Sequence, residues 1–353
     1  MSKMVTMRVL LLGGSWFLGV ALATAALKRT SDVTTFRRGQ SGQDVAGVRL
    51  VRGDKTKPED LKRLAAEGPW DLVVDSLGYV PREVLAMSQA LEPVVGRYVF
   101  ISTVSAYEGW PTEPLSEDSA VLECPPDAGP DYGYDGDPGP SIYGFTKAGS
   151  ERAVLETFGR DRTTIIRPGV ILGPNEYVGR LPWWLRRLER GGRVLAPGNP
   201  ARSIQPVDVR DVAEFVLHCG LDSVSGTFNV AGTGEATFGS FVKACAEVTK
   251  SEAEIAWVDD DFLVQQQVPQ WVGVPMWRTY AGTWAVDASR ARANGLVTRP
   301  LEETVRDTWR LLQSGQMIEH ERARELGISA ERERELLQAW DDYRLSSPVV
   351  MDS

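Results

Sequence analysis

The sequence predicts an α/β protein: a doubly wound parallel sheet with a smaller mixed α/β C-terminal domain. Three observations carry this. Short apolar runs alternate with helix-like segments from Met7 to Ile166. The first run, Met7–Leu12, breaks into Gly13-Gly14 and then into an Ala- and Leu-rich stretch. From about Gly173 the alternation weakens into helical segments separated by short strands.

Met7–Leu12 (MRVLLL) is a continuous apolar run of strand length, as expected of a strand buried on both faces. Phe17–Lys28 reads as a helix, Val33–Phe36 and Val48–Val51 as strands, and Pro58–Ala66 as a helix opened by proline. Leu72–Val74, the helix Pro81–Leu91, Tyr98–Ile101, the helix Tyr143–Thr157 and Thr164–Ile166 continue the rhythm. Gly109–Pro140 interrupts it with seven prolines, and a loop of that length reads as a lid. Pro182–Glu189, Arg210–Cys219, Phe238–Val248 and Leu301–Leu312 read as helices, with Thr227–Val230 and Ile255–Val258 as short strands. Glu319–Tyr343 is a charged helical tail, read as a solvated surface helix. The expected domains are 1–174 and 175–312, interleaved, with 313–353 as the tail.

The 353 residues carry 39 basic and 48 acidic side chains, a formal charge of −9. An acidic surface repels phosphate backbones and anionic membranes, so neither nucleic acid nor membrane is an expected partner. Cys124, Cys219 and Cys245 have neither metal-ligand spacing nor a disulfide pattern, which fits a reducing cytoplasm. Only two histidines exist, His218 and His320, and neither sits in a metal-binding or triad pattern, so no metal is expected. No apolar run approaches the ~18 residues of a membrane span, and Val9–Leu12 is too short for a signal peptide.

The turn Gly13-Gly14-Ser15-Trp16-Phe17-Leu18-Gly19 joins a strand to a helix, the context a dinucleotide fingerprint requires. Gly13 permits the tight turn, Gly19 lets the helix pack on the strand, and the helix N-terminus attracts a pyrophosphate. Trp16 stands where a G-x-x-G-x-x-G pattern has its middle glycine. Its indole either crowds the pyrophosphate or walls the cofactor. At the end of the second strand, NAD-binding folds place an acid on the ribose 2′-OH. Here Arg37 and Arg38 occupy that place, and guanidinium suits a 2′-phosphate. NADP(H) is therefore expected, with NAD(H) as the alternative; surface charge is the bland reading of both arginines. Asp54, after the third strand, is a candidate for the adenine amino group.

Tyr143-Gly-Phe-Thr-Lys147 places a phenol and an ammonium four residues apart on one helix face. The ammonium draws a phenol from its ordinary pKa of about 10 toward neutrality, which suits proton exchange with a carbonyl or alcohol oxygen. The fifth strand ends in Ile101-Ser-Thr103-Val-Ser105, where hydroxyls face the crevice that binds ligands in open α/β sheets. Strand-end capping is the bland reading of these hydroxyls.

The ordered set L-G-G-S-W-F-L-G, I-S-T-V-S-A-Y, Y-G-F-T-K and R-P-G-V-I-L-G-P (Arg167–Pro174) resembles the extended short-chain dehydrogenase/reductase superfamily, of the NAD-dependent epimerase/dehydratase type. The resemblance spans about residues 7–312 and implies a Rossmann domain with a C-terminal substrate domain. It implies Tyr143 as catalytic acid/base, Lys147 on the ribose hydroxyls, and Thr103 on the substrate oxygen. It also implies Gly13, Ser15, Trp16, Phe17, Leu18 and Ser76 along the dinucleotide, and Pro168 and Val170 beside the nicotinamide. Ser105, Tyr134, Trp183 and Arg202 are the candidate substrate contacts, and a homodimer through helices around the Tyr143 helix is implied. The glycine turn resembles the G-G-T-R-F-L-G variety of atypical members, which include plant chloroplast stem-loop RNA-binding proteins.

The departures narrow the expectation. Sugar 4,6-dehydratases carry Asp-Glu after the catalytic Thr, where this chain has Val104-Ser105. The position of an arginine found in many nucleotide-sugar enzymes is Ile204, with Arg202 two residues away. The expected function is an NADP(H)-dependent ketone or aldehyde reductase (or alcohol dehydrogenase) acting on a small organic, natural-product-like substrate. The alternatives are a hydride-mediated epimerase of a sugar-like substrate, and a non-catalytic dinucleotide sensor or RNA-binding member.

Overall fold

A computed structural model describes residues 7–40, 42, 45–317 and 320–346. The chain divides into two compact units, each built from three segments. The described part of unit 1 runs to Ile171 and adds Gln205–Thr233 and Tyr280–Arg299; unit 2 holds Leu172–Ile204, Gly234–Thr279 and the chain from Pro300. No helix among the described residues is long and apolar enough to cross a membrane.

Unit 1 follows the order β1 (Arg8–Leu12), α1 (Phe17–Leu27), β2 (Asp32–Arg37), β3 (Arg49–Arg52), α2 (Pro58–Ala66), β4 (Trp70–Asp75), α3 (Pro81–Leu91), β5 (Val95–Ile101), α4 (Ile142–Phe158) and β6 (Thr163–Pro168). A seventh strand, Gly226–Val230, completes the sheet, which is parallel throughout in the order Gly226–Val230, β6, β5, β4, β1, β2, β3. Side chains alternate across a strand, so each strand feeds two cores. Val9, Leu11, Val33 and Val74 pack with α1 and the helix Val209–Leu221. Leu10, Leu12, Phe36 and Val73 pack with residues of α2, α3 and α4 on the other face. Burial on both faces explains why β1 reads as an uninterrupted apolar run.

One polar assembly crosses this interior. Glu151 of α4 accepts hydrogen bonds from Arg167 of β6 at 2.8 and 2.5 Å and a short one from Ser102 after β5. The Arg167 guanidinium lies 4.5 Å from the Tyr107 ring, and Tyr107 donates to Asn229 at 2.7 Å. The Arg167 and Glu151 side chains are 6% and 4% exposed. Burial works against the cation, but Glu151 outweighs it and holds Arg167 above its ordinary pKa.

Residues 109–140 form a long irregular segment, but it is not a loose flap. Leu115, Leu122, Cys124 and Ala128 are buried beneath it, and Leu115 bridges to Val286. Trp110 packs against the cluster containing Val104, Tyr107 and Leu115. Its longest continuously exposed run is Pro130–Asp137. The lid expectation is thereby restricted to this tip, because the apolar residues between the prolines need a core to bury them.

In unit 2, Arg193–Pro197 and Glu254–Val258 pair in parallel. The indole of Trp184 is fully buried among Phe238 and Phe241 and donates to the Pro275 carbonyl at 2.9 Å. The tail expected to be solvated is packed instead. Its helix Ala330–Ser346 buries Leu336 and Leu337, and Glu333 meets Arg187 at 2.7 and 2.9 Å. The charged composition hid a narrow apolar seam. Glu319, where the predicted tail helix begins, lies outside the described residues.

Breaking a buried ion pair strands one charge and costs about 3–5 kcal/mol, whereas removing both partners costs less. Glu151→Ala is therefore expected to destabilise unit 1 by about 3–5 kcal/mol in urea denaturation. The double variant Glu151→Leu/Arg167→Met is expected to lose less than the single variant.

Candidate active site

Most of the predicted site residues of unit 1 follow the carboxyl ends of β1 to β6, and Tyr143 and Lys147 stand on α4. After β1, Gly13 and Gly14 adopt φ of 109° and 103°, a region that side chains rarely enter. A Cβ on Gly14 would lie 2.6 Å from Thr35 Cγ2, and one on Gly19 would lie 2.7 Å from the Gly14 nitrogen. The turn is thus tight at its start and pressed against α1 at its end. Trp16 is the extended N-cap of α1 and half-buried, and Phe17 opens the helix at a φ of 28°. The first closure of the helix runs from the Val20 N–H to the Trp16 carbonyl at 3.2 Å. The Leu18 and Gly19 amides ahead of it have no carbonyl within the helix to close on. A glycine cradle with open helix amides fits a dinucleotide pyrophosphate.

Arg37 ends β2 half-buried, and Arg38 beside it is exposed. Asp54 is engaged locally: its Oδ1 accepts from the Thr56 N–H at 3.0 Å and the Thr56 hydroxyl at 2.8 Å. Those bonds hold its carboxyl below the ordinary range and make it a turn former. Ser76 acts as a buttress, its hydroxyl donating to the Leu12 carbonyl at 2.9 Å beneath Gly13.

Helix α4 carries the Tyr-Lys pair. Ser141 caps it, accepting from the Gly144 N–H at 3.1 Å, and Asp135 of the long loop accepts from the Ile142 N–H at 2.9 Å. Gly144 explains the second residue of Y-G-F-T-K, because a Cβ there would overlap the Ser105 carbonyl oxygen. This close approach seats the first turn of α4 on the short turn Val104–Ala106. Thr103 caps that turn, accepting from the Ser105 N–H at 3.1 Å.

Tyr143 is 44% exposed, whereas Lys147 is 3% exposed. The Lys147 ammonium donates to the Gly78 and Ile101 carbonyls at 2.7 and 2.5 Å. Burial lowers its pKa from 10.5 to about 8, against the opposing pull of Asp75 and Glu151. Asp75 is itself fixed, accepting from the Leu77 N–H at 2.8 Å and the Tyr98 hydroxyl at 2.9 Å. Tyr79 joins the pair: its ring centroid is 5.2 Å from the Lys147 nitrogen and 6.4 Å from the Tyr143 ring. Tyr79 and Asp75 were not anticipated. Their signal, an acid and an aromatic flanking the end of β4, is visible only once the sheet order is known.

Pro168 and Val170 are buried at the end of β6, where Gly169 donates to the Val230 carbonyl at 2.9 Å. Ser105 is half-buried, and Tyr134 is exposed with its ring 5.2 Å from Phe145. Two substrate candidates belong to unit 2 and have local partners there. The Trp183 indole lies against Gly327, and Arg202 is ion-paired with Asp260. His218 hydrogen-bonds Asp222 at 2.7 Å and the Asn294 carbonyl at 3.0 Å, which assigns it a structural place.

The model of the NAD dependent epimerase/dehydratase family matches residues 9–231. A chloroplast stem-loop binding protein of 41 kDa from Arabidopsis thaliana is 29% identical over 257 residues, 68% of this chain and 62% of the relative. A 2′-dehydrokanamycin reductase from Streptomyces kanamyceticus is 28% identical over 169 residues, 47% of this chain and 43% of the relative. The chain thus spans less than two thirds of the length of either relative. Among solved structures, the Bordetella bronchiseptica enzyme WbmG in complex with NAD and UDP superposes with a TM-score of 0.66 at 17% identity, covering 88% of this chain and 96% of that one. The UDP-glucose 4-epimerase of Thermus thermophilus in complex with NAD gives 0.61 at 21% identity, covering 87% and 99%. These likenesses establish a shared fold.

The lowered pKa of Lys147 has a signed consequence for stability. Between pH 8 and 10.5 the folded lysine is neutral while the unfolded one still binds its proton, so stability from this group rises with pH across that window. Denaturant midpoints of the wild type are expected to show this upward contribution between pH 8 and 10, and those of Lys147→Met to lack it.

Proposed function

Because the chain belongs to the NAD dependent epimerase/dehydratase family, we propose that it is an NADP(H)-dependent oxidoreductase that reduces a small organic ketone or aldehyde, or runs the reverse oxidation. The observation that supports this reading is the Lys147 ammonium on the Gly78 and Ile101 carbonyls, with the helix turn that carries Tyr143 seated on Ser105 near Thr103, and arginine in place of the ribose-binding acid. Gly13, Gly14, Ser15 and the Leu18 and Gly19 amides would hold the pyrophosphate, and Arg37 and Arg38 the 2′-phosphate. When bound, the nicotinamide supplies or accepts hydride. An ammonium has three N–H donors; two reach the Gly78 and Ile101 carbonyls, and the third is available for a ribose hydroxyl or for Tyr143. Thr103 would orient the substrate oxygen. In reduction the Tyr143 phenol gives its proton to that oxygen as the carbonyl carbon gains hydride, and solvent returns a proton to the phenolate.

The substrate is a natural-product-like carbonyl compound in this reading, a class consistent with the name of the Streptomyces relative. Asp-Glu is absent after Thr103, which speaks against water elimination. A cytoplasmic homodimer packed through helices around α4 completes the proposal. The plant relative's name suggests nucleic-acid binding, but the charge of −9 opposes it.

Tyr143→Phe is expected to lower carbonyl-dependent NADPH oxidation by at least about 10²-fold while leaving NADPH binding intact; retained turnover would reject Tyr143 as the acid/base. Arg37→Ala is expected to weaken NADPH about tenfold or more in a fluorescence titration and to leave NADH nearly unchanged. Equal losses of both would remove the 2′-phosphate assignment. Substrate interconversion without net consumption of NADPH would favour the epimerase, and tight, salt-sensitive RNA binding without turnover would favour the RNA-binding alternative.

A further inference from the structure

Arg52 stands at the end of β3, directly opposite Arg37 in the parallel register of β2 and β3. Paired residues of neighbouring strands project to the same face. For these two it is the face of Val33 and Thr35, against which α1 and the glycine turn pack: Val33 shares a core with Leu22 and Ala26 of α1, and a Cβ on Gly14 would touch Thr35. The two guanidiniums thus leave the sheet on the side where the pyrophosphate cradle opens.

The arginines that open β1 and β3 have carboxylate partners. Arg8 meets Asp32 at 3.1 Å, and Arg49 meets Glu67 at 2.9 Å. Arg52 has no such partner among the described residues. The Gly39 backbone, at a φ of 70°, closes against it; a Cβ there would lie 3.4 Å from Arg52 Cζ. The end of β3 is also pinned, because Arg63 donates to the Arg52 carbonyl at 2.6 Å. Two like charges in register repel: burial, with the charge of Arg52 added to it, lowers the pKa of Arg37. A dianion between them would reverse that repulsion, and guanidiniums match phosphate oxygens bidentately.

We propose that Arg52 is a specificity-determining residue, closing with Arg37 a clamp of two strands around the 2′-phosphate of a phosphorylated dinucleotide. This rests on the NADP(H) reading above and adds to it a residue from a different strand. The test is calorimetric binding of NADPH, NADH and 2′,5′-ADP to the wild type, Arg37→Ala, Arg52→Ala and Arg52→Lys, with thermal midpoints recorded for each. Arg52→Ala is expected to weaken NADPH and 2′,5′-ADP by about tenfold to a hundredfold and NADH by less than about twofold, with Arg52→Lys intermediate. If Arg37→Ala loses the NADPH preference while Arg52→Ala keeps it, the clamp is overturned and the cofactor reading stands. Equal weakening of NADPH and NADH by Arg52→Ala, or by Arg52→Lys should the alanine variant not fold, would make Arg52 a structural residue of the edge strand. A wild type without preference for NADPH over NADH would overturn the cofactor reading, and the clamp with it.

Discussion

The buried pair of Glu151 and Arg167 fixes where the catalytic candidates stand. Tyr143, Lys147 and Glu151 follow each other at helical spacing on α4, so one face of that helix carries all three. The Glu151 carboxylate takes hydrogen bonds from Arg167 on β6 and from Ser102, the residue before Thr103. One side chain thus registers the Tyr-Lys helix against two strand ends. Gly144 sets the remaining freedom by letting the first turn of α4 rest on the Ser105 carbonyl. A charge pair in a dry interior contributes little net stability, but it tolerates few other arrangements, which is what a site demanding sub-ångström placement needs.

Lys147 shows the same interior acting on a single charge. Burial disfavours its protonated form, while Asp75 and two carbonyls favour it. Asp75 is held in turn by Tyr98 and the Leu77 amide, so the balance is built from the ends of β4 and β5 and not from α4 alone.

The doubly wound sheet was legible because its strands are short apolar runs buried on both faces, and because glycine appears where the turn demands positive φ. The Tyr-Lys spacing was legible for the same local reason. Features that depend on strand order were not. Tyr79 and Asp75 meet Lys147 only because β4 lies beside β5, and Arg52 faces Arg37 only through the register of β2 and β3. Asp54 looked like a ligand because its turn bonds to Thr56 cannot be distinguished in sequence from an acid awaiting a partner. The charged tail looked solvated because its many charged residues mask the apolar seam of Leu336, Leu337 and Trp340, which only the fold packs against a core.

The interleaving of the two units has a practical corollary. The backbone passes from one to the other five times, at 171/172, 204/205, 233/234, 279/280 and 299/300. No single cut therefore releases either as a contiguous fragment, and a graft of unit 2 from a relative would need five matched junctions. Recombination between homologues is then constrained to exchange loops within a unit, such as the Pro130–Asp137 tip, in preference to whole modules.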